Sequence, residues 1–346
     1  MIFLFKKLLY SLLILLGVAV LVFVMFQGFG DPARMVAGQS GDAKTLENIR
    51  KDLYLDQSKW KQFTGYLNDV SPLSVYRAEE IEKKKLRGVF FGGRVKFGLK
   101  IPYLRRSYQT KKEVGELLMD ALPGTLILAF TAMLFATLVG ITLGVIAALK
   151  KGTWMDNSAL FASIAGISVP SFFMAILIAY FFGVVLHSWT GLNLSGNWFE
   201  VDEVTGERYL VLKNLILPAF TLGIRPLAII TQLTRSSMLD VLGQDYIRTA
   251  YAKGLTVRSV IFGHALRNAL NPVITAISGW FAELLAGAFF IEYIFGWRGV
   301  GKLTVEALEK LDYPVVMGTV LLSACVFIII NFLTDLLYRL ADPRVS

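Results

Sequence analysis

Long uncharged runs limit what this chain can fold into before anything else is read. Residues 8–26 carry no charge and follow Lys6 and Lys7; residues 121–149 are uncharged between Asp120 and Lys150; residues 313–334 are uncharged between Asp312 and Asp335. Beyond Asp156 the next full charge is Glu200, which leaves room for a further span near residues 158–186. Residues 214–234 are apolar but for Arg225, and residues 272–291 are apolar but for Glu283. A membrane-spanning helix needs about 20 mostly apolar residues. In hydrocarbon a backbone amide has no water to bond, so such runs must be helical. The expectation is an all-α polytopic membrane protein with six spans.

Composition agrees. Hydrophobic residues make up 55% of the chain and charged residues 18%, against about a quarter charged in soluble domains. A disordered chain, a disulfide scaffold and most cytosolic enzymes are excluded. Cys325 is the single cysteine and lies inside an apolar run. His187 and His264 are far apart and have no acidic or thiol neighbours, so no His/Cys metal site is expected. His187 falls at the end of its span and reads as interfacial.

The first run has the outline of a signal peptide, but its apolar core exceeds the usual length of about 7–15 residues. Gln27-Gly28-Phe29-Gly30-Asp31 is also a poor cleavage site. A retained anchor over residues 1–29 is expected. Orientation follows from Lys and Arg in the short loops. With the N-terminus inside, eleven lie on the cytoplasmic side (Lys6, Lys7, Lys150, Lys151, Arg235, Arg248, Lys253, Arg258, Arg267, Arg339 and Arg344). Five lie in the short outer loops (Arg208, Lys213, Arg298, Lys302 and Lys310). Both termini are therefore placed in the cytoplasm, with the long basic segment of residues 30–117 outside. Long segments cross largely regardless of charge. Much of the net charge of +9 resides there, and no nucleic acid is among the expected partners.

That segment is too long for a plain loop. Leu46, Ile49 and Leu53 recur at helical spacing, as do Trp60, Phe63, Leu67 and Val70 after Asp56-Gln57-Ser58, which suits a helix cap. Val89-Phe90-Phe91 and residues 95–99 flank Gly92-Gly93, a hairpin signal. A small extracytoplasmic α+β insertion of two helices and a hairpin is expected. It serves as contact for an outside partner, as cover over a pore mouth, or as a structural cap. Residues 76–87, with Lys83-Lys84-Lys85, read as a solvated face.

No catalytic constellation emerges. Residues 296–302 have the glycine and lysine spacing of a phosphate-binding loop, but Leu303 stands where that loop needs Ser or Thr to hold magnesium. If ATP drives this protein, another chain binds it. Two charges lie inside spans. At 1.5 Å per residue Arg225 and Glu283 both fall near mid-depth, and intramembrane charges are functional candidates by default. They either meet cargo, Arg225 a carboxylate and Glu283 an amine, or pair with each other or with a partner subunit.

The remaining signal is residues 236–271, the longest cytoplasmic piece within the core domain of residues 118–346. Ile247, Ala250, Tyr251 and Gly254 share one side of a helix, and Val257, Val260, Ile261 and His264 follow on a second helical pattern. Two short amphipathic helices joined at Gly254 make a knob for a partner's groove. A helix lying on the lipid surface is the other reading.

The run Gln244-Asp245-Tyr246-Ile247-Arg248-Thr249-Ala250-Tyr251-Ala252-Lys253-Gly254-Leu255, followed by His264-Ala265-Leu266-Arg267-Asn268, resembles the coupling segment of binding-protein-dependent ABC importer permeases. Their pattern is Glu-Ala-Ala, three residues, then Gly; Arg248-Thr249-Ala250 stands there, so the Glu is absent. Leu122-Pro123-Gly124, Ser168-Val169-Pro170-Ser171, Leu233-Thr234-Arg235-Ser236-Ser237-Met238 and Asp312-Tyr313-Pro314 agree in order and spacing. The resemblance is to the oligopeptide, dipeptide and nickel subfamily, and to its first permease subunit. Two departures are Arg298 where Pro is usual and Tyr251 where Arg is common.

The resemblance implies the six-helix type I importer permease fold and transport of di- or oligopeptides across the bacterial inner membrane by alternating access. A nickel-chelate permease is the alternative cargo reading. An ion-driven secondary transporter is the alternative mechanism, although it leaves the knob without a role. Implied partners are a second permease in a heterodimer, two ATP-binding subunits that hold ATP and magnesium, an extracytoplasmic solute-binding protein and the lipid bilayer. By the same resemblance Tyr246, Ile247, Thr249, Ala250, Tyr251, Gly254, Leu255, His264 and Leu266 carry the ATPase contact.

Overall fold

The computed structural model describes residues 2–28, 33, 47, 50, 55–202 and 205–341. The elements in order are α1 (Ile2–Gly28), α2 (Lys59–Val70), β1 (Leu73–Arg77), α3 (Ala78–Lys84), β2 (Gly88–Gly92), β3 (Val95–Lys100), α4 (Val114–Leu149), α5 (Trp154–Ser168) and α6 (Ser171–Tyr180). There follow β4 (Phe199–Val201), β5 (Arg208–Leu210), α7 (Lys213–Leu242), α8 (Asp245–Ala252), α9 (Leu266–Gly287), α10 (Phe289–Ile294), α11 (Val300–Glu309) and α12 (Tyr313–Ala341). Contacts divide the chain into two units, Met1–Ala121 with Leu303–Cys325, and Leu122–Lys302 with Val326–Ser346.

Among the described residues α4, α7 and residues 313–334 of α12 are long and apolar enough to cross a membrane. The span expected near residues 158–186 is not one helix. It breaks between α5 and α6, and the two arms meet at a bend of 108°. The cause is local. Pro170 sits at the cap of α6 with φ −57° and ψ 135°, and Val169 before it is extended with ψ 130°. Proline lacks the amide a continuing helix needs, and its ring drives the preceding residue out of the helical region.

In the first unit, α1 meets α2 through Phe23, whose ring lies 5.1 Å from that of Phe63 and 5.8 Å from that of Tyr66. Ala19, Val22, Tyr313, Met317 and Leu321 complete this apolar cluster. The expected hairpin forms. Gly92 adopts φ +119°, where a side chain is strained, and β2 pairs with β3. β1 adds to the other edge of β3, giving an antiparallel sheet in the order β1-β3-β2. The helix expected around Leu46, Ile49 and Leu53 falls outside the described residues.

Asp69, at the end of α2, holds this unit's polar core. Its carboxylate is buried and accepts from Tyr76 Oη at 2.9 Å, Lys84 Nζ at 2.5 Å and Arg105 Nε at 3.2 Å. Its carbonyl accepts from the Tyr103 amide at 2.8 Å and from Lys100 Nζ. Burial pulls the Lys100 ammonium down to about 8. Residues 76–87 are therefore not simply a solvated face. The sequence pattern registers lysines, whereas a carboxylate distant in sequence decides that Lys84 turns inward. Asp312, ahead of α12, plays a similar part, accepting from Ser107 Oγ at 2.5 Å and from the Tyr108 amide at 2.9 Å.

In the second unit the helices approach closely over glycine. Side chains at Gly140 and Gly144 of α4 would run into Leu227, Ile230, Thr231 and Thr234 of α7, and one at Gly223 of α7 would meet the Ala132 carbonyl. In a bilayer, where apolar burial between helices gains little, close backbone packing of this kind supplies the attraction. Leu128, Ala132, Ala136, Ile230 and Val273 are fully buried at the centre.

Removing the Asp69 carboxylate strands the cations gathered on it. Asp69→Ala is expected to loosen the segment between α1 and α4 by about 3–5 kcal/mol. Limited proteolysis of the full chain, with cleavage between residues 71 and 111 mapped by mass, checks this; an unchanged cleavage rate counts against the hub.

Candidate coupling surface and membrane cavity

The second unit carries two candidate sites. The first is built on α8. Ile247 and Ala250 point inward and pack with Val260, Ile261 and Ala265 against Val145 and Ala148 of α4 and Met238 of α7. Gly254 then takes φ +78° and donates its amide to Tyr251 O at 2.9 Å, reversing the chain. Thr256 caps the next turn, accepting from the Ser259 amide. The expected second short helix is not separate: residues 257–259 lead through a π-helical stretch, Val260–Ala265, directly into α9. The knob is thus one short helix hinged on the end of a long one.

This packing sorts the residues singled out from sequence. Tyr246, Thr249, Tyr251, Gly254, Leu255 and His264 are exposed, and Leu266 is half-buried. Ile247 and Ala250 are buried, so they anchor α8 to the bundle and offer no surface to a partner. Val257 and Phe262, at 59% and 63% exposure, extend the outward apolar patch; Val257 shares one sequence pattern with Val260 and Ile261, and Phe262 was not singled out. For Phe262 the signal was present, since it is out of phase with the buried Val260, Ile261 and Ala265. Val257 shares their phase, so its exposure was not legible in the period. Tyr246 Oη accepts from Asn268 Nδ2 at 3.1 Å, which fixes the ring over the start of α9. Nearby, Arg235 of α7 grips the buried Asp156 of α5 through two contacts, at 2.5 and 2.8 Å, and the Gly152 amide donates to the same carboxylate. This bidentate pair locks the start of α5 to the last third of α7.

The second site is a cavity of about 160 Å³ between α5, α6, α7 and α9. Arg225, Trp280 and Glu283 line it together with Thr221 and Ser171. The Arg225 guanidinium lies 5.7 Å from the centre of the Trp280 ring, a cation–π contact. Arg225 and Glu283 share this cavity, but they form no ion pair within 4.0 Å. Both side chains are exposed. An apolar cavity offering one cation and one anion is complementary to a zwitterion.

Residues 296–302, whose spacing resembles a phosphate-binding loop, do bind an anion, and it is the chain's own. Glu292 of α10 is fully buried. Its carboxylate accepts from Thr125 Oγ1 at 2.7 Å and from the Lys302 amide at 3.1 Å, and Thr125 Oγ1 accepts in turn from the Val300 amide at 2.9 Å. A side chain at Gly299 or Gly301 would overlap that carboxylate. Trp297, fully buried, donates its indole N–H to the Gly124 carbonyl at 2.9 Å. Burial pushes the Glu292 carboxyl up to about 7, against the hydrogen bonds from Thr125 and the loop amides. Sequence reasoning passed over Glu292; the clue was an acid directly after an apolar run and before a glycine-rich loop.

The family model for the binding-protein-dependent transport system inner membrane component matches residues 140–346, and the model for the N-terminal part of such membrane components matches residues 1–129. This chain belongs to that permease family. The dipeptide transport system permease protein DppB of Escherichia coli (strain K12) is 36% identical over 351 residues, covering 95% of this chain and 94% of that one. The di/tripeptide transport system permease protein DppB of Pseudomonas aeruginosa (strain UCBPP-PA14) is 35% identical over 347 residues, covering 95% and 94%. The glutathione transport system permease protein GsiC of Escherichia coli (strain K12) is 33% identical over 341 residues, covering 98% and 97%. Among solved structures, a chain from inward-facing conformations of the MetNI methionine ABC transporter aligns with TM-score 0.50 at 17% identity, covering 66% of this chain and 97% of that one. At that identity the likeness carries the fold alone. Membership of the permease family accounts for a mostly helical membrane protein.

The Glu292 loop leaves no room for a methyl group. Gly299→Ala is expected to lower stability by about 1–3 kcal/mol through overpacking. Thermal unfolding of the detergent-purified permease measures it; an unshifted midpoint argues that the loop is not closed on Glu292.

Proposed function

We propose that this chain is the membrane-spanning permease subunit of a peptide importer powered by ATP hydrolysis in separate subunits. The observation that carries the reading is the outward apolar patch of Tyr246, Tyr251, Leu255, Val257 and Phe262, hinged on Gly254 and anchored through Ile247 and Ala250 to α4 and α7. A patch of that size with a rigid anchor is a lever for a protein partner. The relatives named for dipeptides, di/tripeptides and glutathione support peptide cargo.

In this reading α1, α4, the α5–α6 pair, α7, α9 and α12 make six crossings, with both termini in the cytoplasm and the segment between α1 and α4 outside. The chain pairs with a second permease, two ATP-binding subunits that hold ATP and magnesium, and a solute-binding protein that delivers cargo. Nucleotide favours one arrangement of the ATPase pair. The knob conveys that preference to α4 and α7, and the cavity changes the side to which it opens. Such a switch is a rigid-body change between two states, driven by their different affinities for nucleotide and cargo. Arg225 and Glu283 receive the peptide's carboxylate and amine.

Proline cannot adopt the φ of +78° seen at Gly254, being held near about −65°, and it has no amide to donate. Gly254→Pro is expected to leave membrane assembly intact while peptide uptake falls at least about tenfold and ATP hydrolysis persists. Uptake in proteoliposomes alongside phosphate release checks this, and unchanged uptake refutes the coupling role. Arg225→Gln and Glu283→Gln are each expected to weaken uptake of a zwitterionic dipeptide about tenfold or more, the scale of a lost charge-assisted contact. The charge-exchanged double variant is expected not to recover, because the two residues do not pair. Recovery in that variant shows instead that they serve each other.

A further inference from the structure

The three-stranded sheet of the first unit has one face whose residues are exposed among the described residues. Registers place Leu73, Leu99 and Val89 in one row across the sheet and Val75, Phe97 and Phe91 in the next. Every one of these is at least half exposed, Phe91 most of all at 72%. Alternation along the strands sends Ser74, Tyr76 and Lys100 to the opposite, buried face. A contiguous apolar face of this kind marks an interaction site.

The charges around it select the partner. Arg77 continues the β1 row beside Val95, and Arg87 lies opposite Ile101, whose amide donates to its carbonyl at 3.0 Å. By the same alternation both arginines belong to the apolar face, and Arg94 stands at the hairpin tip. None of the strand positions on that face is acidic; Glu80 stands beside Arg77 and Glu116 near Arg87 only at its edges. It therefore offers an apolar interior without side-chain acceptors and arginines at its corners. Protein interfaces ordinarily exchange many hydrogen bonds. The complementary surface is a leaflet boundary, apolar below and lined with anionic phosphates above.

The sheet is also tethered to a spanning helix. β3 leads through Ile101 to Leu104, which flanks Gly318 of α12, five residues past the Tyr313 start of that helix. At 1.5 Å per residue that point is about 7 Å inside the end of the spanning helix. On the other side, Phe23 near the end of α1 stacks on α2. We infer that the apolar sheet face docks on the outer leaflet of the membrane, with Arg77, Arg87 and Arg94 on anionic lipid phosphates. This rests on the membrane placement proposed above.

The test uses the full chain in nanodiscs containing phosphatidylglycerol, in a Cys325→Ser background. Single cysteines replace Phe97 on the face, Glu82 on α3 as a solvent reference and Leu138 of α4 as a lipid reference, each carrying an environment-sensitive fluorophore. The Phe97→Cys label is expected to be quenched by shallow nitroxide lipids and shielded from iodide by about threefold or more relative to Glu82→Cys. Arg77→Glu with Arg87→Glu is expected to reduce that shielding, as is lipid without phosphatidylglycerol. If Phe97→Cys is as open to iodide as Glu82→Cys while Leu138→Cys is lipid-quenched, the docking inference falls and the permease reading stands. If Leu138→Cys also escapes lipid quenching, the membrane placement itself fails. Shielding that arises only on adding a solute-binding protein overturns the lipid assignment in favour of that protein.

Discussion

Hydrocarbon cannot satisfy a backbone amide, and the architecture follows from where the chain meets or avoids that demand. Apolar runs become helices because no other open conformation closes its own hydrogen bonds. Pro123, Pro218, Pro226 and Pro272 are carried inside helices, whereas at Pro170, with Val169 extended before it, the run breaks into the turn between α5 and α6. With little to gain from apolar burial, the helices must approach closely enough for dispersion and weak backbone contacts to hold them. That is the use of Gly140, Gly144 and Gly223 between α4 and α7.

Buried carboxylates then fix the joints that apolar packing leaves undefined. Asp69, Asp156, Glu292 and Asp312 are each at most 4% exposed, and each collects donors from other segments. Asp69 gathers Lys84 and Arg105; Asp156 takes both contacts from Arg235; Glu292 closes a glycine loop; Asp312 holds Ser107 and the Tyr108 amide. Each lies outside or near the end of a long apolar helix, where an ion need not be carried into the middle of the hydrocarbon. Directional bonds specify angles that greasy surfaces do not. Arg225 and Glu283 are different. They lie well within α7 and α9, line one cavity and are not bonded to each other, an arrangement suited to a visiting zwitterion.

The knob and the cavity are joined by rigid pieces. α8 is packed on α4 and α7, and α7 carries Arg225. α9 begins in the knob's π-helical stretch and carries Trp280 and Glu283. A partner that moves α8 therefore acts on two helices that line the cavity, which is the physical content of coupling in this reading.

The sequence alone determined the membrane class, the positions of the three long apolar helices α4, α7 and α12, the Gly92 hairpin, the bend at Gly254 and the family. These are written in local pattern: run length, period and the backbone freedom of glycine. Tertiary structure decided what depends on partners distant in the chain. It turned Lys84 from an expected solvated face toward Asp69, and it buried Ile247 and Ala250 while leaving Val257 and Phe262 outside. It joined the second coupling helix to α9. It kept Arg225 and Glu283 apart across a shared cavity, and it closed a phosphate-like loop on Glu292. A helical period states which residues share a face, but not what that face will meet. A charge in a sequence states a need for a partner, and only the packed chain supplies one.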